Sequence, residues 1–99
     1  MTRRTKQLDF RHYPNIPAAT QMALRLYVEE GRLPGSFLTA VLCNDLFRAV
    51  DHADEQNAAA LPSLVKFIYN QLPGPAWGSA QRMREYLAII WATAEASQD

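Results

Sequence analysis

Between clusters of proline and glycine the chain carries apolar residues three and four positions apart, the spacing of one face of a helix. The first such run, "PAATQMALRLYVEE", begins at Pro17, which a first helical turn tolerates because its missing N–H has no partner there anyway. It stops at Gly31, a residue suited to a left-handed C-terminal position. Ala19, Met22, Ala23, Leu26 and Tyr27 share one side and Leu24 and Val28 lie opposite, so this helix is expected to bury two faces or to cover a partner. After the turn "RLPG", Ser36 is placed to cap a second helix with its hydroxyl. Phe37, Leu38, Val41, Leu42, Leu46, Ala49 and Val50 carry the pattern, and the helix is expected to end near His52 or Ala53.

Asp54 is the expected cap of a third helix, with Glu55 favoured in its electropositive first turn. Its stripe is Ala58, Leu61, Leu64, Val65, Ile68 and Leu72. Pro62 lies inside it, so the element is either kinked there or split after Ala60; the unbroken phase of the stripe favours one kinked helix. "LPGPAWGS" leaves no room for a regular element, and Ser79 then caps a fourth helix with Met83, Tyr86, Leu87, Ile90, Trp91 and Ala94 on one side. The last five residues are expected to fray. No segment alternates as a strand does. The pattern predicts an all-α protein, a compact bundle of about four helices over residues 17–99, preceded by an extended basic N-terminal arm over residues 1–16. Leu8, Phe10, Tyr13 and Ile16 are apolar enough to pin part of that arm to the body.

Composition narrows the function classes. Ninety-nine residues make one domain, and ten basic residues balance ten acidic ones, which argues against wholesale nucleic-acid binding. The balance is uneven: Arg3, Arg4, Lys6 and Arg11 against Asp9 leave +3 on residues 1–13, so the rest of the chain carries −3. A lone cysteine, Cys43, excludes an internal disulfide and fits a reducing compartment. No apolar run approaches the ~20 residues of a membrane span, and no apolar signal core follows the first charges. A soluble cytoplasmic protein is expected.

Chemistry-bearing sets are sparse. Asp51, His52, Asp54 and Glu55 form the densest ligand-type cluster, but they stand at a helix boundary where acidic caps belong, and no metal or other cofactor is expected. No motif joins Cys43 to His12 or His52 as nucleophile and base, and no glycine-rich phosphate loop is present. The chain reads as non-enzymatic. Two binding surfaces compete. Gln81, Arg82, Arg84 and Glu85 face away from the apolar stripe of the fourth helix, and with the basic arm they would suit a nucleic-acid backbone. Phe47 and Phe67 fall off the main stripes of their helices and, if exposed, are anchors for another protein or for a homo-oligomer; the competing expectation is that a helix or the arm covers them.

"CNDL" interrupts the second stripe. On an ideal wheel set at Phe37, Asp45 falls at about 80°, inside the stripe, and Asn44 at about 340°, on its margin. A carboxylate there needs a partner, because leaving one bare in an apolar setting costs several kcal/mol. Asn57, the Trp77 indole N–H and the helix start at Ser79 are the candidates, which makes Asp45 an expected internal staple between the second helix and the Trp77-Gly78-Ser79 turn.

"PGSFLTAVLCNDL", followed by "AD", "YNQLP" and "WGS", resembles a group of small proteins encoded by bacteriophages, prophages and proteobacterial genomes. The likeness covers about residues 22 to 79, with Pro62 standing where an ordinary helix residue is expected. It implies an interaction protein of phage or mobile-element type, an inhibitor that binds a host defence complex. A small DNA- or RNA-binding accessory protein is the alternative.

Overall fold

The computed structural model describes residues 8–96. Five α-helices and one 3₁₀ turn follow in order: α1 (Ala18–Glu30), α2 (Ser36–Leu42), α3 (Leu46–His52), α4 (Glu55–Gln71), the 3₁₀ turn Gly74–Ala76, and α5 (Ala80–Ala96). No strand occurs among the described residues, so the all-α expectation holds, with five helices where the pattern gave about four. "LPGPAWGS", read as irregular throughout, contains the 3₁₀ turn.

The extra helix comes from Asn44 and Asp45. Asn44 adopts the left-handed conformation (φ 64°) that asparagine tolerates better than other side-chain-bearing residues. Around it the Asp45 N–H donates to the Ala40 carbonyl at 2.8 Å and the Asn44 N–H to the Val41 carbonyl at 3.0 Å, which is the Schellman pattern that ends a helix. Asp45 then begins the next one: its carboxylate accepts from the Arg48 N–H at 3.2 Å as the N-cap of α3. The polar pair is thus a stop followed by a start. It breaks the helical phase, so Leu46 and Val50, placed in the stripe by pattern, stand 62% and 56% exposed, and only Ala49 of α3 is buried.

The other boundaries follow local chemistry. Asp54 caps α4 through the Asn57 N–H (2.8 Å), and Ser79 caps α5 through the Arg82 N–H (3.1 Å). At α2 the cap is Gly35; Ser36 is already helical and its hydroxyl caps nothing. Gly31 ends α1 at φ 71°, and a Cβ on it would lie 2.9 Å from Ile90 Cγ2 and from Trp91 Nε1, so glycine is required there twice over. α4 is one helix across Pro62, which is exposed, so the Ala58 carbonyl that loses its helical donor lies on the water side.

α1 buries Thr20, Leu24, Tyr27 and Val28, while Ala19 and Met22 of the expected face are exposed. The rotation lets the Thr20 hydroxyl reach Asn57 Oδ1 of α4 at 2.7 Å. The core joins Leu24, Tyr27, Leu42, Leu64 and Phe67, all at full burial; each such apolar side chain contributes roughly 1.5–3 kcal/mol. Residues 8–16 belong to the same core: Leu8, Phe10 and Ile16 are buried, Tyr13 packs against it, and turns close at Tyr13 and Ile16. Three aromatic donors end on main-chain carbonyls: Tyr27 on Ala76 (2.7 Å), Tyr86 on Val28 (2.9 Å) and Trp91 on Gly31 (3.0 Å). No helix among the described residues is long and apolar enough to cross a membrane.

Candidate functional site

Phe67 is not an exposed anchor. It is fully buried, stacked on Phe10 with ring centroids 4.2 Å apart and met edge-on by Tyr13 at 5.2 Å. The N-terminal segment covers it, and so it has no surface to offer.

Phe47 is 87% exposed. It projects from α3 on the side away from Ala49, because residues two apart on a helix point about 200° apart. Leu46 and Val50 flank it on the arc nearer α4. Beside them an open hollow of about 60 Å³ lies between α3 and α4, lined by Val41, Leu46, Ala49, Leu61 and Val65, with Asn44 and Asp45 at one edge. Val65 and Tyr69, one turn apart on α4, are 49% and 71% exposed and extend the apolar face. Asp45 and Arg48 pair with each other beside it at 3.4 Å. The result is an apolar ridge next to an apolar hollow, on a helix with one buried residue.

The staple predicted for Asp45 joins the right elements through different atoms. The tie between α2 and the Trp77-Gly78-Ser79 turn is backbone to backbone, Gly78 N–H to the Leu42 carbonyl at 2.7 Å. Asp45 is exposed and spent on α3, Asn57 bonds Thr20, Ser79 caps α5, and the enclosed Trp77 indole N–H meets no acceptor among the described residues. Asp45 therefore escapes the desolvation that the helical wheel assigned to it.

The basic candidates do not assemble. Arg3, Arg4 and Lys6 lie outside the described residues. Arg11 is bound to Asp9 through two nitrogens (3.0 and 2.8 Å), which holds the Asp9 carboxyl far below the usual carboxylate range. Arg82 and Arg84 are both exposed, but residues two apart on a helix do not share a face. Arg82 leans back toward the Trp77 carbonyl (3.5 Å) and lines a cleft with Glu85, Tyr86 and Ile89.

A cleft of about 400 Å³ beside α2 and α3 holds Cys43, Asp45, Arg48 and His52. Burial, with the nearby Asp45 charge, raises the Cys43 thiol above its ordinary range, and its sulfur lies 3.3 Å from Met83 Sδ. A protonated thiol against a thioether is a poor nucleophile. Among the described residues no three histidine, cysteine or acidic side chains are grouped to hold a metal ion.

The ridge was half legible. Phe47 stands off its stripe in the sequence, but helical spacing assigns Leu46 and Val50 to the core; only "ND" as a helix stop and start releases them. Comparison of the chain with known protein families, curated proteins and solved structures gives no match to any of the three.

Proposed function

We propose that this chain is a non-enzymatic protein-interaction module that binds another polypeptide on the outer face of α3 and the adjoining flank of α4. The observation that carries the reading is Phe47, 87% exposed on a helix that buries one residue of seven. A short isolated helix is unstable in water and draws its stability from covering an apolar face. α3 instead turns Leu46, Phe47 and Val50 outward. Aromatic side chains beside a shallow apolar hollow are the usual anchors of protein interfaces. The protonated, half-buried Cys43 supports the non-enzymatic part of the reading. The resemblance to phage-encoded proteins extends it to a bacterial host complex as the target of inhibition.

The test uses the purified chain and a bacterial lysate, each with wild-type and Phe47→Asp protein. Self-association, or capture of a partner that purifies and rebinds, is expected with the wild type and is lost with Phe47→Asp at unchanged circular dichroism. Absence of both overturns the proposal.

A further inference from the structure

We infer that the polypeptide seated on this face is a second copy of the same chain, related by a two-fold axis; the inference rests on the interaction reading above. A closed dimer needs one patch that complements itself, with residue i meeting residue j and j meeting i. The face carries both halves of such a contact. Phe47 is the projecting part, and the hollow lined by Val41, Leu46, Ala49, Leu61 and Val65 is the receiving part. On the wheel of α3, Val50 lies between Phe47 and the hollow's α3 wall of Leu46 and Ala49. A two-fold axis through Val50 therefore carries the Phe47 ring of each copy to the hollow of the other. The hollow, at about 60 Å³ and open, takes the edge of a ring rather than a whole one.

Charge and area fit the same occupant. Asp45 and Arg48, the ionic pair at the rim, neutralise each other within the chain, and Asp51 on α3 and Lys66 on α4 add one exposed charge of each sign, so the face has no net charge that selects a basic or an acidic partner. Phe47 and Tyr69 together present roughly 300 Å², since an aromatic side chain carries about 150–250 Å². Leu46, Val50 and Val65 raise the apolar face to about 450–500 Å². A standard interface takes about 800 Å² from each partner, of which about 55–65% is apolar, so the face supplies the apolar share of one complete interface.

Sedimentation equilibrium of the full chain tests this, with Phe47→Glu, Val65→Lys and their equimolar mixture. The wild type is expected to sediment as a dimer, and each variant alone as a monomer with a dimer dissociation constant raised at least tenfold. The mixture is expected to form dimer again, because one of its two contacts is native and the other sets Glu against Lys. A wild-type monomer up to about 0.5 mM, or variants that dimerise like the wild type, overturns the inference. A monomeric wild type that still captures another protein through Phe47 removes the second copy and leaves the interaction reading standing.

Discussion

Phe10 lies flat on Phe67, with ring planes 13° from parallel, and the Arg25 guanidinium carbon sits over the Phe10 ring, 5.0 Å from its centroid. A residue upstream of α1 thereby closes the core of α4. Phe10→Ala is expected to cost about 3 kcal/mol, at the lower end for a buried phenylalanine because the ring is at the core margin. Urea unfolding measures it. Removal of residues 1–16 should lower the midpoint more than Phe10→Ala does.

The turn at Asn44 makes a prediction with two signs. Asn44→Gly keeps the left-handed conformation and is expected to leave stability level or slightly raised. Asn44→Ala forces a Cβ-bearing residue without a stabilising side chain into that conformation, at about 1 kcal/mol. Asp45→Ala removes the α3 cap and costs about 1 kcal/mol, with Asp45→Asn close to wild type. Thermal unfolding of the four variants separates these outcomes.

Gly31→Ala combines a positive φ with a clash against Ile90 and Trp91. A loss of about 2 kcal/mol is expected, and the Trp91 fluorescence should shift as its bond to the Gly31 carbonyl is pushed apart.

Alkaline pH should weaken the fold. Burial raises the Tyr27 hydroxyl far above the ordinary tyrosine range, with Tyr86 and Cys43 adding to it, and burial also raises the Cys43 thiol. The unfolded chain releases these protons near pH 8.5 for the thiol and near pH 10 for the phenol, while the folded chain still holds them. Stability from both groups is therefore full below about pH 8.5; the thiol's share declines above that and the phenol's declines as pH rises past about 10. Urea midpoints between pH 7 and pH 11 show the slope. Tyr27→Phe should flatten its upper part and cost about 1 kcal/mol at pH 7 through the bond lost at the Ala76 carbonyl.

Nucleic-acid binding is testable through α5. Arg82→Ala with Arg84→Ala is expected to leave affinity for random duplex DNA within twofold at about 50 and about 200 mM salt. A change of about two in the salt slope on that double substitution would reverse the order of the two binding hypotheses.

What was legible in the sequence was local. Asp54, Ser79 and Gly31 mark helix ends through groups within four residues of them, and all three stand where their chemistry places them. The burial of Phe67 depends on Phe10 and Tyr13, more than fifty residues away in the chain, and the Thr20–Asn57 bond depends on how α1 is rotated; neither leaves a periodic trace. The break at Asn44–Asp45 left its trace in residue types and none in periodicity. The apolar spacing of the sequence runs on across it, but spacing is a statement about side chains, and a helix is ended by its carbonyls and amides.

The three aromatic donors that reach main-chain carbonyls have an evolutionary consequence. Ala76 and Val28 take part as acceptors through atoms that every amino acid possesses. A relative can exchange those two side chains, within the space the core allows, and lose neither bond, whereas exchange of Tyr27 or Tyr86 for phenylalanine deletes one. Sequence drift along this fold should therefore run unequally across each contact, with tyrosines held fixed opposite partners that wander.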